Sequence, residues 1–226
     1  MDAVIFDFDG VIVDSEPVHH AGFARVLRGR GIDLSWGDYR ERYLGYDDRD
    51  CFLAVCADRG VALAEEELAA LIAAKTATVR EVLAASAEAL PGAVALIRAL
   101  DLAGVPLAIC SGALRPEIEA AARRVGILER FAAVVAAEDV AAGKPDPAGY
   151  ALAVARLGAA AGRPLRPCAS LAIEDSPAGI AAARGAGLHV LAVATSYERG
   201  ALAAADLVVA SLAGVDVATL AALATA

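Results

Sequence analysis

Val4-Ile5-Phe6-Asp7-Phe8-Asp9-Gly10-Val11-Ile12-Val13-Asp14 sets two carboxylates, two residues apart, where an apolar run of β-prone residues breaks at a glycine. A run that is apolar at successive positions predicts a strand buried on both faces, as in a parallel sheet covered by helices. Asp7 then falls at the C-terminal end of that strand, where open parallel sheets gather their ligands, and alternation points Asp7 and Asp9 the same way. Neighbouring ionised carboxylates repel, and each resists desolvation. Such a pair is stable when a cation sits between its members or one of them keeps a proton, and both devices serve catalysis. The bland alternative is a solvated strand end. An EF-hand loop is excluded, because Val11 and Ile12 stand where it needs an oxygen ligand and a glycine.

Beyond Asp14 the pattern changes. From about Ser15 to Ser86 there is no strand signal, and helices are predicted over 20–30, 39–43, 49–59 and 65–85. From Leu90-Pro91-Gly92 onward helix and strand alternate: helices over 93–103, 115–125, 147–157 and 177–185, strands over 106–110, 133–136, 170–173, 189–193 and around 207–209. The fold class expected is α/β, a Rossmann-like parallel-sheet core formed by residues 1–14 and 87–226, with an inserted α-helical cap domain over residues 15–86.

The chain's 226 residues can bury a large core without staples, and its four cysteines (Cys51, Cys56, Cys110, Cys168) form no C-x-x-C pair. They read as reduced thiols of a cytoplasmic protein, Cys110 being a buried strand residue and no nucleophile. Neither a basic leader nor an apolar stretch of roughly 20 residues is present, so a membrane is not an expected partner. A formal net charge of −9 and a pI near 4.8 oppose a phosphate-backbone footprint, which disfavours nucleic acid. A small anionic substrate would need a local positive site set against the global sign.

In a parallel sheet, residues just past each strand meet along one edge. That edge would collect Asp7 and Asp9, Ser111-Gly112 after the second strand, Lys144 before Pro145, and Glu174-Asp175-Ser176-Pro177 after the strand ending at Ile173. Singly, Ser111 reads as a helix cap, Lys144 as a turn residue, and Glu174 and Asp175 as complements to a helix dipole. Together they make an oxygen cage suited to Mg²⁺, with Lys144, Ser111 and backbone N–H groups near Gly10 and Gly112 left for phosphate oxygens. Phosphoryl transfer needs little more.

With Asp7-Phe8-Asp9-Gly10, Ser111-Gly112, Lys144-Pro145 and Glu174-Asp175 in this order, the chain resembles the haloacid dehalogenase superfamily, in its phosphatase and β-phosphoglucomutase-like branch. The resemblance implies that Asp7 is a nucleophile forming an aspartyl-phosphate, and that Asp9 protonates the leaving alkoxide and later deprotonates water. Asp9 would then be neutral for part of the cycle, a state favoured by the charge of Asp7 and phosphate. It also implies Mg²⁺ held by Asp7, the Asp9 carbonyl and Asp175, with Glu174 in direct or water-mediated contact. Lys144 would neutralise Asp7 and phosphate, and Ser111 would donate to a phosphoryl oxygen. Asp9 and Glu174-Asp175 argue for attack on phosphorus rather than carbon.

Choice of substrate would come from the helical segment, where Glu16, His19, His20, Arg49 and Lys75 are the candidates, His19 facing the site by resemblance. The loop 45–50 reads as a specificity loop, in which Arg49 offers a fork for a second anionic or hydroxyl-rich group or else pairs with its acidic neighbours. Trp36 reads as cap core, and Arg115 as a further phosphate or leaving-group contact. The activity expected is a Mg²⁺-dependent phosphatase acting on a small phosphomonoester of the sugar-phosphate kind. A hexose phosphomutase is the alternative, followed by an anion-binding module without turnover.

Overall fold

The computed structural model describes residues 1–224; the last two residues of the expected core segment lie outside it. Six parallel strands form one sheet in the order β3-β2-β1-β4-β5-β6, with β1 Val4–Phe6, β2 Leu107–Cys110, β3 Ala133–Val135, β4 Leu171–Glu174, β5 His189–Val193 and β6 Leu207–Val209. The doubly covered parallel sheet expected from the alternation is present. β1 lies at its centre, with Val4 beside Leu107 on one side and Leu171 on the other.

Period-two alternation divides the strand residues between two hydrophobic layers. Val4, Phe6, Ile109 and Ile173 pack against helices α5 (Ala93–Leu102), α6 (Arg115–Arg124) and α9 (Val217–Leu223). Ile5, Ala108, Ala172 and Val190 face α7 (Ala148–Ala160) and α8 (Pro177–Gly185). Both faces of β1 are therefore dry, and burying each of its side chains contributes roughly 1.5–3 kcal/mol.

Residues 16–86 carry α1 Glu16–Arg28, α2 Trp36–Arg42, α3 Asp48–Asp58 and α4 Glu65–Ser86. Ser35 and Asp47 cap α2 and α3 by accepting from the backbone N–H three residues on, each worth about 1 kcal/mol. A separate apolar cluster built from Phe23, Leu27, Tyr39, Phe52, Val55 and Leu68 holds these helices together. Helix α4 belongs to both bodies: Leu68 and Leu71 sit in that cluster, whereas Val79 and Leu83 sit in the layer over the sheet.

Several boundaries differ from the sequence reading. Helix α1 starts at Glu16 with Pro17 in its first turn rather than at His20, since proline fits where no N–H is needed. Helix α9, begun by the Asp216 cap, was not expected. Trp36 is 39% exposed and stacks on Tyr39 instead of filling a core.

Beyond β3, Asp139 binds Arg156 (Nη2 to Oδ1, 2.9 Å), Arg115 and the Ala136 N–H. The Arg156 hydrogen bond is the main cause of its carboxyl being held down to about 2. Because the folded value is the lower one, the stabilisation is full above the usual carboxylate range and disappears as pH falls towards 2. Asp139→Asn is expected to cost about 1–2 kcal/mol at pH 7, after allowance for screening around the half-exposed arginines. Urea melts of native and variant protein should converge near pH 2.

Candidate active site

The C-terminal ends of β1, β2, β4 and β5 deliver the polar residues to one place. Lys144 Nζ donates to Asp7 Oδ1 (2.7 Å) and Glu174 Oε1 (2.5 Å), and sits 5.4 Å from the Tyr150 ring centroid. Asp7, Glu174 and Asp175, all buried, offer carboxylate oxygens within 4.8 Å of one another. Glu174 is saturated by its surroundings: Oε1 also accepts from Tyr150 OH (2.6 Å), and Oε2 from the Asp175 N–H and the Ser176 N–H and hydroxyl. A Cβ on Gly179 would overlap this carboxylate, so the first turn of α8 is moulded around it. Asp175 accepts from Ser196 Oγ, which follows β5. Gly10 has φ +73°, and a Cβ there would strike the Asp175 carboxylate; glycine is required on both counts.

Asp9 faces a different set. The β-strand ends at Phe6, so both aspartates lie just beyond it. The Asp9 side chain accepts from Ser15 Oγ and from Ser111 Oγ (3.2 Å), and lies 3.5 Å from His19 Nε2. Its carboxylate is not part of the acidic trio.

Burial pushes the Asp7 carboxyl well above its ordinary range, and Glu174 and Asp9 add to the rise against the pull of Lys144. Asp175 is raised by burial and by the charges of Asp7 and Glu174. Asp9 goes the other way: burial would raise it, but the hydrogen bond of His19, with those of Ser15 and Ser111, holds it down to about 2. In this form the proton preference therefore falls on Asp7 rather than on Asp9.

Behind Asp9 lies a second polar chain. Lys75, with no exposed surface, donates to His19 Nδ1 (2.7 Å), Asp48 Oδ1 (2.7 Å) and Glu117 Oε1 (3.3 Å). An ammonium donating to Nδ1 leaves the proton of a neutral ring on Nε2, facing Asp9. This chain joins α1, α3 and α4 to α6.

The remaining candidates fall elsewhere. Arg49 forms a two-bond pair with Glu65 (2.6 and 2.9 Å) on the outside; its acidic partner comes from α4, not from its own loop. His20 pairs with the Leu34 carbonyl, Glu16 accepts from Tyr39 OH, and Arg115 is taken by Asp139 and the Val134 carbonyl. Gly112 has open space around its Cα. Ser15, Glu117, Tyr150, Thr195 and Ser196 were not among the residues expected. Thr195, which donates to the Gly10 carbonyl, and Ser196 follow β5 at the same sheet edge, so the strand-end rule that found Ser111 would have found them.

The model of the haloacid dehalogenase-like hydrolase family matches residues 1–187. The chain is 30% identical over 211 residues to validoxylamine A 7'-phosphate phosphatase of Streptomyces hygroscopicus subsp. limoneus, covering 92% of each protein. It is 32% identical over 216 residues to hexitol phosphatase A of Escherichia coli K12, covering 92% of this chain and 90% of that protein. Among solved structures, CbbY from Rhodobacter sphaeroides in complex with phosphate superposes with a TM-score of 0.87 at 27% identity, over 97% of this chain and 99% of that one. No helix among the described residues is long and apolar enough to cross a membrane.

Proposed function

The chain belongs to the haloacid dehalogenase-like hydrolases and stands among their phosphatases, and from that premise we propose that it hydrolyses a small sugar-type phosphomonoester through an aspartyl-phosphate on Asp7, with residues 15–86 acting as a cap. The observation carrying this reading is Lys144 bridging Asp7 and Glu174 beside Asp175. A buried nucleophile is thereby oriented while one of its oxygens, Oδ2, has no protein donor among the described residues. The names of the relatives, hexitol phosphatase A and validoxylamine A 7'-phosphate phosphatase, support the substrate class.

Three buried carboxylates against one lysine leave excess negative charge, and the raised Asp7 and Asp175 carboxyls express the missing counter-charge. All-oxygen donors of this kind fit Mg²⁺. Asp7, Asp175 and the Asp9 carbonyl would hold it, with the saturated Glu174 orienting from behind. When bound, Mg²⁺ supplies charge neutralisation at the phosphoryl oxygens.

An Asp7 oxygen attacks phosphorus as the ester P–O bond breaks, and the leaving oxygen takes a proton from Asp9. Water then attacks the aspartyl-phosphate, giving its proton to Asp9, and the bond to Asp7 breaks. His19 and Ser15 aim Asp9 at the leaving oxygen. Since they also favour its ionised form, Asp9 is set to receive a proton from water and needs the phosphoryl charge to carry one in the first step. Arg49, turned out to Glu65, offers no support for the second-phosphate contact of a mutase.

A phosphate-release screen across sugar phosphates, with Mg²⁺ and with EDTA, tests the reading. Asp9→Asn is expected to lower kcat by about 10²–10⁴ for alkyl esters, and by less for p-nitrophenyl phosphate, whose leaving group departs without a proton. Equal turnover of native and Asp9→Asn protein on alkyl esters would remove Asp9 from the mechanism.

A further inference from the structure

The Lys75 cluster contains more acceptors than the chain supplies with donors. Each of the two carboxylates on Lys75 uses one oxygen for the ammonium, and the other oxygen, Asp48 Oδ2 or Glu117 Oε2, is buried without a partner. The Glu117 side chain is only 1% exposed. Leaving such an oxygen unpaired costs about 1–3 kcal/mol, and buried polar groups left in this way are uncommon in folded proteins. Both carboxylates lie on the seam where α3 and α4 meet α6, held by Lys75, which also binds His19, the residue that stands against Asp9 at the leaving oxygen.

Three cations that could favour an anion near the leaving group are committed elsewhere. Arg49 is held by Glu65, Arg115 by Asp139, and Lys144 by Asp7 and Glu174. Lys75 already serves three acceptors.

Resting on the phosphatase reading and narrowing it, we propose that Asp48 and Glu117 form a specificity recess for the leaving group, selecting a polyol or aminopolyol that donates hydroxyl or ammonium hydrogens and rejecting one that carries a second anion. A donor from the substrate satisfies the two stranded oxygens, whereas a carboxylate or second phosphate meets like charge out of water. Sites built to hydrogen-bond a substrate group discriminate strongly against analogues that cannot comply. The seam is shut in this structure, so the leaving group enters as the helical unit lifts and is read as it closes.

The test compares kcat/KM for three six-carbon probes, glucitol 6-phosphate, glucosamine 6-phosphate and 6-phosphogluconate, with p-nitrophenyl phosphate as a reporter of the phosphoryl site alone. For the native enzyme, the first two should exceed 6-phosphogluconate by about 100-fold or more. Asp48→Asn and Glu117→Gln each turn an acceptor into an amide that can donate, and each should narrow that ratio by about tenfold, a shift of about 1.4 kcal/mol. A native ratio near one overturns the recess even if the variants fail to fold, and so does an unchanged ratio in folded variants. Turnover of p-nitrophenyl phosphate with a flat ratio removes only this proposal; no turnover of any probe removes the phosphatase reading with it.

Discussion

Asp7→Asn is expected to abolish phosphate release, by more than about 10⁴ in kcat, without lowering the melting temperature. Removing a nucleophile eliminates the covalent route outright, and only background from binding and charge survives. Stability follows a different balance. Asp7 is 6% exposed, and burial together with Glu174 and Asp9 works against its ionised form. An amide of the same shape removes that repulsion, while Lys144 keeps Glu174 as its partner. Thermal melts paired with phosphate-release assays separate the two effects. Retention of more than about 1% of native turnover would mean that another group attacks phosphorus.

Lys144→Met should be costly in both respects. It deletes the one cation among the described residues that touches Asp7 and Glu174, leaving two buried carboxylates without it beside Asp175. Breaking a buried pair from one side typically costs about 3–5 kcal/mol, more than the methionine stem recovers by packing. The sign is reinforced by Lys144 itself, since Asp7 and Glu174 outweigh burial and hold its ammonium well above the ordinary value. Urea unfolding should give a midpoint well below native. Millimolar Mg²⁺ should restore part of the difference, because a cation that binds only the folded chain stabilises it by mass action. A melt equal to native in metal-free buffer would show that the three carboxylates share protons and do not depend on lysine.

The strands were readable because each is short, apolar and bounded by breakers, and their C-terminal ends could be aligned without knowing the sheet order. That rule placed Asp7, Ser111 and Glu174-Asp175 together, and structure puts Lys144 among them. Asp7 and Asp9 take different partners, Lys144 for the first and Ser15, Ser111 and His19 for the second, which apolar patterning does not reveal. Helix α9 was hidden by alanine bias, which blurs the contrast on which periodicity depends. Glu117 looks in sequence like an acidic residue placed for a helix dipole, and Tyr150 like plain core; their polar partners, Lys75 and Glu174, come from distant segments. Arg49 pairs with Glu65, a partner fixed only by the folding of α3 against α4.

Placing the first strand at the middle of the sheet has a consequence for synthesis. Its two neighbours, residues 107–110 and 171–174, are translated far later, so at roughly 5–20 residues per second the earliest apolar segment emerges unpaired on the ribosome for many seconds. Meanwhile the local contacts of α1–α3 can already form. The helical unit therefore begins to assemble before the sheet is complete, and nascent chains stalled short of β4 should be the ones that chaperones hold.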